Sequence, residues 1–373
     1  MIKKFYQLST GDEVFWHKKL QSIYIPFKEK RKVLSTSLLN GAYSEDLVMI
    51  FNHNCGDEDG GHCKLKAKTN LEHLAVLSEE LGFCATKVTG MGTAAKMENC
   101  VVVEKTYADL TVTAIVTGGV EGNGGRAGDP ATYYAPQEKL AEHKAGTINI
   151  MLSLDADVPE GVLTRALVTC TEAKTAALQE LMAGSLYSTG LATGSGTDQT
   201  IIFANPKSNL YFEGAGKHSK LGELIGVAVK DAVKKALYKQ SGLSPKLRYD
   251  LLRRWKRYGV SQEKIYELYQ RQTENSSKAD FQKNFTIFME NNKLIASASV
   301  YIHLLDQLAW GLLPIEDVQQ ETRKILEKMA QDFEISLPKY QHETSEDLVW
   351  AWWIIYLNCY MKGDNDEKNC GVR

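Results

Sequence analysis

The chain has little net charge, no long apolar run and no regular cysteine framework. Its 44 lysine and arginine residues nearly balance 46 aspartate and glutamate residues, for a formal net charge of -2, which disfavours a protein that binds nucleic acid through its overall charge. The most apolar segment, Leu348 to Met361, is shorter than the roughly 20 residues that cross a bilayer. No apolar run of signal-peptide length follows the N-terminal lysines. We therefore expect a cytoplasmic protein that binds neither membranes nor nucleic acid.

Seven cysteines, an odd number without regular spacing, favour reduced thiols. The segment NHNCGDEDGGHCK contains four residues of the types that bind zinc, His53, Cys55, His62 and Cys63. Their spacing matches no standard zinc pattern, although four such ligands can in principle close a tetrahedral site. We expect a solvated acidic loop and no metal, and metal binding by these four residues stays open.

The two parts of the chain differ in composition. Residues 1–240 are rich in glycine and threonine and contain short β-branched runs and long helical patterns. The strand-like runs mostly follow one another directly, which favours an α+β domain with a layered mixed or antiparallel sheet over a doubly wound fold. Within it, RKVLSTSLLNG and DLVMIFNHN are expected to be adjacent strands. Residues 241–373 have helical patterns with aromatic anchors and predict an all-α domain.

Four polar segments of the first part contain glycines: STSLLNG, GMGTAA, GGVEGNGGRAGD and ATGSGTD. Glycine permits conformations in which successive main-chain N–H groups point into one space, so such segments can hold anions or an oxyanion. GNGGRAG runs into prolines instead of the helix that a dinucleotide fingerprint requires, and GLATGSGTD lacks the Gly-Lys-Ser/Thr ending of a phosphate loop. Neither nucleotide cofactor is supported.

Seven segments, in this order, resemble the adenosylcobinamide amidohydrolase family: VLSTSLLNG, GMGTAA, GGVEGNGGRAGD, GTINIMLSLD, TCTEAKTAALQEL, LATGSGTDQTIIFA and GKHSKLGELIGVAV. The resemblance runs from about Val33 to Ala236 and leaves the helical part outside. It implies hydrolysis of the amide that joins the corrin acid side chain to aminopropanol or its phosphate. The product would be adenosylcobyric acid, recovered in cobinamide salvage for coenzyme B12 synthesis. The corrinoid substrate carries its own cobalt, and we expect no added cofactor because hydrolysis uses no redox chemistry.

Amide hydrolysis needs an attacking oxygen, a proton acceptor and hydrogen-bond donors for the oxyanion. We expect His218, just before a helix, to act as general base, and Asp198 to orient its imidazole or to activate water. Lys174 lies on the apolar face of a helix, where an ammonium group needs a carboxylate partner such as Asp198. Glu172 lies on the opposite, outward face and is a further catalytic candidate.

The attacking group stays open between water and a threonine. Thr147 and Thr197 each follow a glycine, and self-cleavage before a threonine would create an N-terminal nucleophile whose α-amine acts as base. Thr197 is therefore included among the catalytic candidates. The corrin is fringed with amides, so its site should present scattered polar groups. The predicted substrate-binding residues are Asn40, Gly92, Asn123, Arg126, Asp129, Gly194 and Gly196.

Two other functions compete with catalysis. The first is a corrinoid-binding module without catalysis. The second is a corrinoid-responsive regulator, because LRRWKRYGVSQEKIYELYQRQ loosely resembles a helix-turn-helix and carries basic residues beside Trp255. These basic residues are Arg253, Arg254, Lys256 and Arg257. We expect the helical part to serve instead for packing or for contacts between copies of the chain.

Overall fold

The computed structural model describes residues 1–56, 64–132, 134, 146–248, 250–273, 278, 281, 282, 285, 289 and 291–369. Its contacts divide the chain into two compact units, Met1–Ser244 and Pro245–Arg373. The boundary expected from the sequence, after residue 240, falls in the last turn of the helix Lys220–Ser241.

The strands of the first unit are short and are separated by turns and by three long helices. In chain order the strands are β1 (Ile2–Gln7), β2 (Glu13–His17), β3 (Ser22–Pro26), β4 (Lys32–Ser35), β5 (Ala42–Ser44), β6 (Met49–Asn54), β7 (Val88–Thr93), β8 (Val101–Tyr107), β9 (Leu110–Gly118), β10 (Gly124–Gly125), β11 (Ile148–Leu154), β12 (Gly194–Ser195) and β13 (Gln199–Ala204). The helices are α1 (Asn70–Glu80), α2 (Glu160–Glu180) and α3 (Lys220–Ser241).

These strands form two main sheets and one small ribbon. The five-stranded sheet has the order β1-β2-β3-β6-β7, and the six-stranded sheet has the order β5-β4-β13-β11-β9-β8. Neighbouring strands are antiparallel except for the pairs β6 with β7 and β11 with β13. The predicted α+β class with mixed sheets is confirmed. The expectation that β4 and β6 are neighbours is wrong, because they belong to different sheets.

The first unit has four layers, with helices outside two stacked sheets. In β6, Ile50 points inward and joins a core with Ile115 and Met151 of the six-stranded sheet. Phe51, the next residue, points outward and packs with Leu74 and other residues of α1. This alternation follows from the period of two in a strand. Helices α2 and α3 cover the outer face of the six-stranded sheet.

One part of the interior between the sheets is polar. The Asn149 Nδ2 atom donates to Asn52 Oδ1 at 2.8 Å and to the Gly92 carbonyl oxygen at 3.0 Å. Asn52 Nδ2 in turn donates to Thr117 Oγ1 at 2.8 Å. Buried amides are costly unless they are hydrogen-bonded, so these contacts tie the two sheets together at this point. We call Asn52, Gly92, Thr117 and Asn149 the inter-sheet polar cluster.

The second unit is helical in its described residues, as predicted. Its helices are α4 (Leu251–Trp255), α5 (Gln262–Gln270), α6 (Asn292–Ala309), α7 (Ile315–Asp332) and α8 (Ser345–Asn369). The α8 residues Trp352 and Trp353 are fully buried beside Trp255 of α4, so these three tryptophans are core residues. In the part of the chain that the structure describes, no helix is both long and apolar enough to cross a membrane.

The basic cluster of the second unit is partly used inside that unit. Arg257 makes a two-pronged ion pair with Asp306, at 2.6 and 2.7 Å, and its side chain is 4% exposed. Arg254 donates to Ser299 Oγ at 2.9 Å, and Trp255 is buried. A DNA-reading helix needs its basic side chains free to reach phosphates and bases. These contacts favour a structural role for this segment over a regulator.

Candidate active site

Helix α2 carries Lys174 to the site. Pro159 stands at its N-cap position and Glu160 in its first turn, which suits a helix start because proline loses no hydrogen bond there and a carboxylate favours the positive end of the helix. Lys174 lies on the half-buried side, and its Nζ atom is 2.6 Å from Asp198 Oδ2. The two side chains are only 12% and 9% exposed. The ammonium group on this face therefore has a carboxylate partner.

Asp198 accepts hydrogen bonds from four groups. Besides Lys174, they are the Ile148 N–H at 2.7 Å, the Ser195 N–H at 2.9 Å and the Ser195 hydroxyl at 2.6 Å. A carboxylate has about four lone-pair directions, so this one is fully used. Asp198 is thus arranged to hold the chain segments around it in place. It is poorly arranged to take a proton from water or to orient an imidazole.

Two threonine hydroxyls meet beside Asp198. Thr147 Oγ1 and Thr197 Oγ1 are 2.6 Å apart, and we call these residues the threonine pair. Thr197 Oγ1 also donates to the Gly146 carbonyl oxygen at 3.1 Å. The same carbonyl accepts from Asn123 Nδ2 at 3.3 Å, while the Tyr187 hydroxyl donates to Asn123 Oδ1 at 2.9 Å.

The strand β11 links the threonine pair to the inter-sheet polar cluster. Thr147 directly precedes this strand, and Asn149 lies two residues later. Side chains two residues apart on a strand share one face, so both point between the sheets. Among the described residues, Asn149 Oδ1 is buried without a hydrogen-bond partner. Asn149 is not among the residues predicted from the sequence, although an amide in the otherwise largely apolar run INIMLSL is a signal for it.

Two of the glycine segments, GGVEGNGGRAGD and ATGSGTD, pair with each other at the site. In the β10–β12 ribbon, Gly124 lies opposite Ser195 and Gly125 lies opposite Gly194. A Cβ atom on Gly194 would lie 2.4 Å from Asp198 Oδ2 and 2.9 Å from Lys174 Nζ, so a side chain there would displace the ion pair. At Gly196, which is exposed, a Cβ atom would lie 3.4 Å from the amide nitrogen of Asn123.

Asp129 and Arg126 form a turn near this ribbon. Asp129 accepts from the Arg126 N–H at 2.8 Å and from the Ser185 hydroxyl at 2.6 Å. Burial raises the pKa of Asp129, but hydrogen bonds from Ser185, Ser188 and Arg126 outweigh it and leave the pKa below its ordinary value. These contacts use the Asp129 carboxylate to stabilise the turn.

The other two glycine segments meet each other. The Ser37 hydroxyl donates to the Gly90 carbonyl oxygen, and Gly92 reaches the inter-sheet polar cluster through Asn149. Asn40 is exposed with a φ of +47°, and its amide donates to the carbonyl oxygens of Ala85 and Val88. The structure thus brings Gly92 towards the threonine pair, whereas Asn40 fixes a neighbouring turn.

Glu172 and His218 lie on a different surface. Glu172 pairs with Lys217 at 2.8 Å, with side chains 42% and 58% exposed, and the hydrogen bond from Lys217 lowers the pKa of Glu172. His218 is exposed and precedes Ser219, whose hydroxyl caps α3 by accepting from the Gly222 N–H at 3.1 Å. Within the described residues, no hydrogen bond joins His218 to Lys174 or Asp198. Of the site residues predicted from the sequence, six lie in or beside the threonine pair: Asn123, Lys174, Gly194, Gly196, Thr197 and Asp198.

The possible metal loop is only partly within the described residues. Residues 57–63, including His62 and Cys63, lie outside them. In the described ranges, no group of three or more His, Cys, Asp or Glu residues could hold a metal ion. Cys55 is disulfide-bonded, so the expectation of reduced thiols throughout is wrong at this residue. His53 is buried beside His73, and burial, followed by the charge of His73, lowers the pKa of His53 to about 4.

Comparison with known proteins gives a consistent result for the first unit. A family model described as adenosylcobinamide amidohydrolase matches residues 5–245. An uncharacterized protein of Methanocaldococcus jannaschii is 31% identical over 231 residues, which cover 59% of this chain and 87% of that protein. A crystal structure of a protein from Pyrococcus horikoshii OT3 aligns over 70% of this chain and 91% of that chain, at 15% identity and a TM-score of 0.32. That score is too low to carry an argument, whereas the family match includes the whole site described above.

Proposed function

Because the chain belongs to the adenosylcobinamide amidohydrolase family, it is a hydrolase of cobinamide salvage, and we propose that it cleaves the substrate amide at the threonine pair. The products are adenosylcobyric acid and aminopropanol, or aminopropanol phosphate. The observation that carries this placement is the contact of two hydroxyls at 2.6 Å. They lie beside a fully hydrogen-bonded carboxylate, next to the glycine-bearing loop Gly194–Asp198.

A substrate amide can approach the threonine pair from one side. Thr197 is half-buried and Gly196 is exposed, whereas Thr147 is only 6% exposed, so a substrate amide would approach the pair from the side of Thr197 and Gly196. Glycine at position 196 brings no side chain to block that approach. The site therefore combines a fixed nucleophile with an open side, as a large ligand such as a corrinoid requires.

The residues at the site divide the roles that amide hydrolysis requires. Thr147 Oγ1 attacks the amide carbonyl carbon, and its proton is relayed through the Thr197 hydroxyl to the leaving nitrogen. Asn123 Nδ2 donates to the oxyanion. Each well-placed donor of this kind contributes about 3 kcal/mol to transition-state stabilisation. The aminopropanol nitrogen leaves with a proton, and water then releases the corrinoid acid from its ester with Thr147.

Lys174 and Asp198 act in this scheme as positioning residues. Asp198 binds the main chain at Ile148, next to Thr147, and at Ser195, two residues before Thr197. Lys174 holds the carboxylate from the helix side. The distance between the two hydroxyls thus depends on residues that do not touch the substrate.

The remaining parts of the proposal concern conditions and partners. Attack by a hydroxyl on an amide changes no oxidation state, so no added cofactor is required and the cobalt belongs to the substrate. The reaction takes place in the cytoplasm, without nucleic acid or membrane. The helical second unit provides packing or a contact between copies of the chain.

The test is chromatography of corrinoids and of aminopropanol after incubation with adenosylcobinamide. Thr147→Ala should lower the rate at least 100-fold, and Thr147→Ser should keep a measurable part of it. The matched control is Thr111→Val, which removes a hydroxyl from another threonine contact, Thr106 with Thr111 at 3.1 Å, and should act like the wild type. Binding of the corrinoid without release of aminopropanol by the wild type would favour the binding module. Normal turnover by Thr147→Ala, with loss in His218→Ala, would move the site to the surface of Glu172 and His218.

A further inference from the structure

The threonine pair lacks an evident proton acceptor. Its hydrogen-bond partner outside the pair, among the described residues, is the Gly146 carbonyl oxygen. A carbonyl oxygen does not accept a proton at neutral pH. The nearby Asp198 carboxylate already accepts four hydrogen bonds. A hydroxyl nucleophile needs a base to become reactive.

The peptide bond before Thr147 has an unusual environment. Its carbonyl oxygen, on Gly146, accepts hydrogen bonds from Asn123 Nδ2 and from Thr197 Oγ1. Two donors on one carbonyl oxygen polarise it and would stabilise a negative charge on it. The attacking atom for this carbonyl carbon is the hydroxyl of the next residue, Thr147, which is bonded to one of the donors.

Only glycine fits the position before Thr147. Gly146 has a φ of +152°, and a Cβ atom there would lie 3.0 Å from Asn123 Cβ and 3.1 Å from the Asn123 nitrogen. Residues with a side chain rarely adopt such a φ. The chain therefore approaches Asn123 closely at this peptide, which keeps the carbonyl within reach of the Asn123 amide.

We infer that the chain cleaves its own peptide bond between Gly146 and Thr147, an inference that rests on the proposed role of Thr147 in hydrolysis. Thr147 Oγ1 attacks the Gly146 carbonyl carbon, and the oxygen that becomes negatively charged in the tetrahedral intermediate takes the hydroxyl proton through Thr197 Oγ1. The bond to the Thr147 nitrogen breaks, that nitrogen takes up the proton, and Gly146 is left as an ester on Thr147. Water hydrolyses the ester, giving the Gly146 carboxylate and a Thr147 with a free α-amine and a free hydroxyl.

The cleavage supplies the missing base. An α-amine has a pKa of about 7.7–8.0, so roughly a tenth to a sixth of it is unprotonated at pH 7 and able to accept a proton. It stands on the same residue as the attacking hydroxyl, as in enzymes with an N-terminal threonine nucleophile. The reaction consumes one water and needs no oxidant, reductant or other reactant.

Mass spectrometry of the purified full chain under denaturing conditions tests the cleavage. The expected result is two polypeptides, residues 1–146 and 147–373, whose masses sum to the intact chain plus one water. The second should begin with Thr-Ile-Asn-Ile. A single intact polypeptide after prolonged incubation at neutral pH overturns the inference, and so does a cut at any other bond.

Variants separate self-cleavage from cutting by a contaminating protease. Thr147→Ala should remain whole, Thr147→Ser should be cut, and Thr197→Val should be cut at least 10-fold more slowly. The control Thr111→Val should be cut like the wild type. Circular dichroism and thermal melting check that each variant is folded, and a folded Thr147→Ala that is still cut at residue 146 overturns the inference.

Corrinoid turnover by the same samples separates this inference from the proposed function. An intact chain that hydrolyses adenosylcobinamide at its full rate overturns self-cleavage and leaves the proposed function standing. A chain that is cut at Gly146 but releases no aminopropanol supports self-cleavage and contradicts the proposed hydrolysis at the threonine pair. A rise in turnover that follows the fraction cut supports both.

Discussion

Helix α2 carries two ion pairs that have similar N···O distances but differ in burial. Lys174 and Asp198 are 2.6 Å apart with side chains 12% and 9% exposed, whereas Glu172 and Lys217 are 2.8 Å apart with side chains 42% and 58% exposed. Water and salt screen the second pair, and holding two long side chains together costs entropy. The first pair is shielded, and one of its partners anchors the chain around the threonine pair. The two pairs therefore differ in burial and not in contact distance. The buried pair holds the site in place, and the other pair lies on the surface.

The largest expected effect comes from disturbing the shielded pair without removing a charge. In Gly194→Ala the new Cβ atom would lie 2.4 Å from Asp198 Oδ2, so the carboxylate must move. Displacement of about 1 Å in a catalytic arrangement can reduce turnover about 100-fold, and we expect a loss of that size in adenosylcobinamide hydrolysis. The control is Gly161→Ala on α2, where nothing lies within 4 Å of the new atom. Equal rates in both variants would show that the pair has no part in the reaction.

Removal of one partner from each pair should change stability unequally. Lys174→Ala leaves a shielded carboxylate without its cation, and we expect the free energy of unfolding to fall by about 2–3 kcal/mol, below the full cost for a completely buried pair because three other donors remain. Lys217→Ala should cause a much smaller fall. Urea denaturation of the two variants and the wild type measures the difference. The opposite ranking would contradict the distinction drawn from burial.

A pH series should reveal the buried imidazole of His53. Burial, and then the charge of His73, lowers the pKa of His53 from 6.5 to about 4. The unfolded chain therefore takes up a proton below pH 6.5 while the folded chain does so only near pH 4. The free energy of unfolding should fall between these values, by up to about 3 kcal/mol, and the contribution of His53 should level off below pH 4. His53→Gln should flatten this slope, while the exposed control His342→Gln should keep it.

The smallest expected effect concerns the surface pair. The hydrogen bond from Lys217 lowers the pKa of Glu172, so this contribution is present above the ordinary value of 4.5 and is lost as the pH falls below it. Salt should weaken it as well, because at 1 M the screening length is about 3 Å. The difference in unfolding midpoint between wild type and Glu172→Gln should therefore shrink as sodium chloride is added. A difference that is unchanged at 1 M would mean that the pair is shielded after all.

Local patterns in the sequence predict the parts of this molecule that depend on local physics. A helix is expected from Pro159 to Leu181 and is found at Glu160–Glu180, because its 3.6-residue period and its starting residues act within a few turns. The same pattern marks Lys174 as an ammonium group that needs a partner, and Asp198 is in contact with it. The four glycine segments are likewise visible from composition alone.

The sequence does not predict which strands become neighbours. β4 and β6 look adjacent because they are close in the sequence, yet β5 lies between them in the chain and they enter different sheets, since pairing is decided by contacts between distant segments. β1 and β2 are short and mostly not buried, whereas β3 is buried on both faces, so a period of two is weak in all three strands. His218 and Glu172 share specific segments with the family, but their segments place them on the surface. The roles of all these side chains remain predictions.

The inter-sheet polar cluster also bears on how the first unit folds. Apolar side chains tolerate a small slip of one sheet over the other, because dispersion contacts are not directional. The amide of Asn149 does not tolerate it, since it contacts Asn52 and Gly92 on two strands of the opposite sheet. A misregistered stack would leave these amides dehydrated and unpaired. The cluster thus fixes one alignment of the two sheets. It also fixes one position for the strand that begins after Thr147.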